Sequence, residues 1–128
     1  MNAVLTATDK YDIRAKDINS LVGVGLDSDI DRIPEPYRNT DNPQLAFNKH
    51  IIEQTHAYTA AYKLNSAFYE ANGVTGWQAM QATVAYLREN HPGVFIICDA
   101  KRGDLGNSSA AYARSVFDNL DFDAVTLN

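Results

Sequence analysis

Residues 99–104 read Asp-Ala-Lys-Arg-Gly-Asp and follow an apolar run, Val94-Phe95-Ile96-Ile97-Cys98. Two carboxylates and an ammonium group therefore crowd the point where a buried strand would pass into a loop. Charged side chains avoid such places unless they are paired. Asp99 and Lys101 lie two apart on one face of an extended chain. At that spacing each holds the other in its charged form. Asp104, on the following loop, offers a second negative neighbour to a lysine. A lysine kept protonated in a largely dry site by flanking carboxylates is suited to general acid chemistry.

The pattern around this segment supplies other polar groups in equivalent places. Residues 7–18 predict a helix. Leu21-Val22-Gly23-Val24-Gly25-Leu26 predicts a short buried strand ending at Asp27, and residues 28–42 a loop. Asn42-Pro43 starts a second helix, with Phe47, Ile51, Ile52 and Thr55 as its expected buried face. A strand over about 58–64 follows, then a short helical piece, 66–71. Thr75-Gly76-Trp77-Gln78 has the form of a capping box, opening a helix whose core stripe would be Trp77, Met80, Val84 and Leu87. His91-Pro92-Gly93 closes it. The third strand is 94–98, the next helix about 107–120, and the last strand 124–127, ending at Asn128.

Apolar strands separated by amphipathic helices predict an α/β protein with parallel strands covered by helices. The strands would end at Asp27, at Lys63 or Asn65, at Asp99 and Lys101, and at Asn128. In a parallel α/β protein these ends share one side of the sheet, where ligands bind. Asp27, Lys63, Asp99 and Lys101 are thereby expected to converge on one pocket.

Bulk properties narrow the function classes. The chain has 128 residues, 45% of them hydrophobic and 21% charged, with a net charge of -5. That charge argues against nucleic acid or an anionic membrane as main partner. No apolar run reaches the roughly 20 residues of a membrane helix. Met1-Asn2-Ala3-Val4-Leu5 lacks the basic and apolar regions of a signal peptide, so the expected compartment is the cytoplasm. Cys98 is the single cysteine, expected to be a small buried hydrophobe. His50 and His56 are six apart and His91 sits in a turn, a poor arrangement for a shared metal.

Asp99-Ala100-Lys101-Arg102-Gly103-Asp104-Leu105-Gly106-Asn107-Ser108 closely resembles the D-x-K-x-x-D signature of the orotidine 5'-phosphate decarboxylase family, in the wording of its bacterial type 2 branch. So do Ala61-Tyr62-Lys63-Leu64-Asn65-Ser66-Ala67-Phe68-Tyr69-Glu70 and Val22-Gly23-Val24-Gly25-Leu26-Asp27, in the same order and spacing.

The resemblance implies a (β/α)8 barrel, a homodimer, and conversion of orotidine 5'-monophosphate to uridine 5'-monophosphate without metal or organic cofactor. It implies that Lys101 protonates C6 as carbon dioxide leaves and that Asp99 sits beside the substrate carboxylate. Lys63 would contact ribose and order the charges, and Asp27 would bind a ribose hydroxyl. Asp104 would serve the partner subunit's ribose site. Leu105 and Ser108 stand where the family commonly has Ile and Thr, lining the partner's pyrimidine pocket. A (β/α)8 barrel typically takes about 250 residues. Residues 1–128 are therefore expected to form one part-barrel domain, the N-terminal half with about four βα units. The phosphate-binding arginine and the groups that read the pyrimidine edge would belong to the other half, and this piece alone is expected to be inactive.

Two other readings compete. Sugar-phosphate decarboxylases and hexulose-phosphate synthases of related architecture share D-x-K-x-x-D but use Mg²⁺. They would want a further carboxylate near Asp99, and Glu70 is the nearest to the second strand's end. The other is a non-catalytic half-barrel that serves in assembly, for which a poised charge array would be superfluous.

Overall fold

The computed structural model describes residues 4–127. The residues at either extreme, including the expected strand end at Asn128, lie outside the described part. Four parallel strands form one sheet in chain order: β1 (Val22–Gly25), β2 (Thr59–Asn65), β3 (Phe95–Asp99) and β4 (Ala124–Val125). The connections carry α1 (Ala7–Asp17) ahead of β1, then α2 (Glu35–Arg38), α3 (Pro43–Thr55), α4 (Ser66–Glu70), α5 (Gly73–Asn90) and α6 (Gly106–Ala113). The last helix runs on as a π-helical stretch, Arg114–Asn119. Parallel strands in sequential order, the first three each followed by helix, are the first half of a (β/α)8 barrel.

The two faces of the sheet differ. Tyr62, Leu64, Ile96 and Cys98 point to the helical layer and are buried against Ile52, Tyr69, Met80, Val84, Leu87, Val116 and Leu120. The alternate positions, Ala61, Lys63 and Asn65 on β2 and Phe95, Ile97 and Asp99 on β3, line the opposite face. Lys63 is in register with Gly25 on one side and Ile97 on the other, and Asn65 with Asp99. The period of two therefore carries the charged groups to the strand ends on a single face. At the other end of the strands α1 is anchored by Tyr11 edge-on to Phe95, with ring centroids 5.7 Å apart, and by Lys10 Nζ 2.8 Å from Asp123 Oδ1.

Several local expectations are corrected. The first strand is mostly exposed rather than buried. It is an edge strand, and Gly23 and Gly25 contribute no side chain to cover it. The buried line of α3 is Gln44, Asn48 and Ile52, in place of the stripe that included Phe47, Ile51 and Thr55. Polar residues occupy it because they meet polar partners. Gln44 Nε2 donates to the carbonyls of Ser28 (2.8 Å) and Phe68 (3.1 Å). Asn48 Nδ2 donates to the Tyr69 hydroxyl (2.9 Å) and to Thr83 Oγ1 (3.0 Å).

No capping box forms at Thr75. The helix already begins at Gly73, whose φ of +58° makes the turn, and Thr75 Oγ1 donates to the Asn72 carbonyl. The start lies earlier because α4 and α5 meet closely: a Cβ on Gly76 would stand 1.7 Å from the Tyr69 carbonyl oxygen. Met80, Val84 and Leu87 are core, as the helical stripe predicts, whereas Trp77 is 40% exposed at its end. Two short helical segments, Ile30–Arg32 and α2, interrupt the expected loop. The fourth strand is shorter than expected, ending at Val125.

Candidate active site

The ends of β1, β2 and β3 bring four charged groups into a line of alternating sign. Lys63 Nζ lies 3.4 Å from Asp27 Oδ2 and 3.1 Å from Asp99 Oδ2. Lys101 Nζ lies 2.6 Å from Asp99 Oδ1. Asp27 is fixed by the backbone of the next strand, since the Asn65 N–H donates to its Oδ1 at 2.9 Å. Exposure differs sharply between the inner and the outer groups. The Asp99 side chain is 14% exposed, Lys63 38% and Lys101 61%. The inner carboxylate is thus held by its neighbours while the terminal ammonium faces the open side.

The electrostatics follow from this order. The ammonium of Lys101, with the Thr126 hydroxyl and Lys63, lowers the Asp99 carboxyl from its ordinary value to about 2; partial burial opposes this and loses. Burial acts on Lys63 in the opposite sense, against its charge. The hydrogen bond and charge of Asp99 together with Asp27 outweigh it and raise Lys63. Such an array favours the charged form of each of its members.

Thr126, beyond β4, joins the site and was not foreseen from the sequence. Its hydroxyl donates to Asp99 Oδ1 at 2.8 Å and accepts from the Lys101 N–H at 3.1 Å. Its backbone closes the same turn: Thr126 N donates to the Cys98 carbonyl and Arg102 N to the Thr126 carbonyl. Lys101 needs this support, because its φ of +51° places a long side chain in the left-handed region. That conformation costs of order 1 kcal/mol and persists only where surrounding contacts fix it. An alternating strand pattern marks Thr126 as one polar residue among apolar ones, which is the only signal the sequence offers.

The remaining predicted residues do not join the line. Asp104 Oδ1 accepts from the N–H of Leu105 and makes no ion pair with Lys101 among the described residues, so its expected role as a second negative neighbour within this chain is corrected. The loop carries it outward. Leu105 is 85% exposed, and Ser108 is exposed on the first turn of α6. Glu70 is not directed to Asp99; its carboxylate pairs with Arg102, which also donates to the Ala100 carbonyl and rests over the Tyr112 ring. Cys98 packs in the core, where burial pushes its thiol up to about 11.

Four parallel strands with a Lys/Asp array at the carboxyl ends of the first three match one half of a (β/α)8 barrel, a fold in which ligands bind at that end of the strands. Residues 39–128 match the model of the family described as orotidine 5'-phosphate decarboxylase / HUMPS. The chain belongs to that family. Over 108 residues it is 56% identical to orotidine 5'-phosphate decarboxylase of Phocaeicola vulgatus, covering 84% of this chain and 40% of the relative. It is 54% identical over the same length to that of Bacteroides fragilis, covering 84% and 39%. The chain therefore spans about 40% of the length of the curated relatives it matches.

Among solved structures, OMP decarboxylase of Leishmania donovani superposes with a TM-score of 0.78 at 36% identity, over 96% of this chain and 44% of that one. UMP synthase of the same organism gives 0.79 at 38% identity, over 97% and 25%.

Proposed function

We propose that the protein of which this chain forms the site-bearing part decarboxylates orotidine 5'-monophosphate to uridine 5'-monophosphate, with Lys101 as the proton donor. The observation that carries this reading is the unbroken line Asp27–Lys63–Asp99–Lys101. In the reaction the C6–carboxylate bond breaks, carbon dioxide leaves, and the electron pair remains on C6. An ammonium fixed beside that carbon stabilises the developing charge and then transfers its proton to it. Solvent returns the proton to the lysine. Asp99, ionised and next to Lys101, would face the substrate carboxylate and hold the ammonium in position. Lys63 and Asp27 would bind ribose hydroxyls. Remote contacts to ribose and phosphate would supply the binding energy that holds the charged base in this setting.

Asp104 and Leu105, in the loop before α6, and Ser108, in its first turn, are exposed near one another, which suits contact with the active site of a second subunit in a homodimer. Residues 1–128 act in this reading as one part-barrel. Four strands do not close a barrel, so the piece expressed by itself should show no turnover.

The family description also names HUMPS, but Glu70, on α4 after the second strand, pairs with Arg102 and does not join Asp99. The curated relatives named above are decarboxylases.

The test is Lys101→Ala in the intact protein, followed by the absorbance change of orotidine monophosphate and by nucleotide binding. Loss of turnover with binding retained is the expected result. Retained turnover would refute the assignment of the proton donor.

A further inference from the structure

At the opposite end of the strands from the charge array, α3 and α5 bring together three donors that none of the preceding chemistry uses. His56 follows α3 directly, Glu53 lies in its last turn, and His91 follows α5. One donor atom from each falls within 4.8 Å of the others. His91 Nε2 and Glu53 Oε1 are 3.0 Å apart, and the His56 and His91 rings stack with centroids 4.2 Å apart.

We propose that Glu53, His56 and His91 bind one divalent transition ion of the Zn²⁺ class, which clips the end of α3 to the end of α5. Two imidazoles and a carboxylate are a common zinc donor set, with a water completing the tetrahedron. Imidazole favours Zn²⁺ over Mg²⁺, which prefers oxygen. The separation of 3.0 Å between His91 Nε2 and Glu53 Oε1 is close to the edge of such a tetrahedron, given bonds of about 2.0–2.1 Å. The donor atoms, within 4.8 Å of one another, close further on binding, which the soft χ2 torsion of histidine allows.

The surroundings already orient the other donors. The Tyr86 hydroxyl donates to Glu53 Oε1 at 2.7 Å and so steers the carboxylate, as outer partners do at metal sites. The His56 carbonyl accepts from Arg14 Nη2 at 2.6 Å, and the His91 N–H donates to the Leu87 carbonyl at 2.8 Å, so both backbones are fixed. His50 takes no part; its ring rests against Tyr37. The sequence reading sets the histidines aside because His50 and His56 are six apart and His91 sits in a turn; the βα repeat brings His56 and His91 together across 35 positions.

The experiment is calorimetric titration of the intact, chelator-treated protein with Zn²⁺, beside His56→Ala/His91→Ala and Glu53→Gln. The expected result is one micromolar or tighter Zn²⁺ site that is lost in the double variant and weakened about tenfold or more by Glu53→Gln. Zn²⁺ should raise the melting temperature of the parent but not of the double variant, and Co²⁺ should give a tetrahedral visible band in the parent alone. Circular dichroism of the metal-free proteins reports folding; if the double variant does not fold, Glu53→Gln decides the matter. Zn²⁺ affinity unchanged by the substitutions, binding only at millimolar Zn²⁺, or equal affinity for Mg²⁺ would overturn the proposal.

Discussion

Thr126 donates a 2.8 Å hydrogen bond to Asp99 Oδ1, the same oxygen that lies 2.6 Å from the Lys101 ammonium. A hydroxyl from the fourth strand's end and the outermost ammonium thus converge on one atom. Thr126 also accepts from the Lys101 backbone, so it orients both partners of the pair.

Thr126→Val should therefore lower kcat by about tenfold or more, because loss of positioning at the reacting group is costly even when no charge is removed. Thr126→Ser keeps the hydroxyl and should restore most of the rate. Steady-state kinetics of the intact protein separate the two. Equal activity of the Val and Ser variants would show that the hydroxyl does not position the site.

Asp99 carries a pH-dependent part of the stability. Its folded pKa of about 2 lies below the ordinary 3.8, so its contribution is present above the unfolded value and fades as pH falls from about 4 toward 2. After allowance for screening it amounts to roughly 1–2 kcal/mol. Asp99→Asn should be less stable than the parent at pH 7, where Lys63 and Lys101 lose their shared anion, and the gap should shrink on acidification. Urea denaturation at a series of pH values checks this.

How far the sequence discloses this site depends on what specifies each residue. Asp27, Lys63, Asp99 and Lys101 follow apolar runs; strand periodicity brings Lys63 and Asp99 to one end of one face, while Asp27 and Lys101 lie just past their strands. Thr126 is found only through its partner in space. Asn48 and Gln44 were missed for a related reason: hydrophobic spacing locates a buried helix face only when that face is apolar. Here two amides are buried because Ser28, Phe68, Tyr69 and Thr83 supply hydrogen-bond partners from other elements. The chain order of the strands was legible because each βα unit repeats, while the exposed first strand depends on what pairs with a sheet edge.

Tyr69 shows what this buried network contributes. Its hydroxyl is fully enclosed, donates to the Leu26 carbonyl next to Asp27 and accepts from Asn48; burial pushes its pKa up to about 12. Tyr69→Phe should cost about 1–3 kcal/mol, since it leaves two buried partners without their hydrogen bond. Chemical denaturation measures the loss, and an unchanged midpoint would show that the network is not coupled to stability.

Gly76→Ala should be among the most damaging small substitutions. The added methyl would collide with the Tyr69 backbone at the α4–α5 corner, and only a backbone shift can relieve it. A loss of about 3 kcal/mol or more is expected. The thermal unfolding midpoint of the variant checks it.

The strand order β1-β2-β3-β4 matches the order of synthesis. Each new strand finds its docking edge already made, and no strand has to be inserted between two older ones. On the ribosome, the four charged groups can therefore be brought into line in the order in which their strands are made. The neighbouring pairings also keep each closure between adjacent units, which favours rapid folding over a search through distant partners.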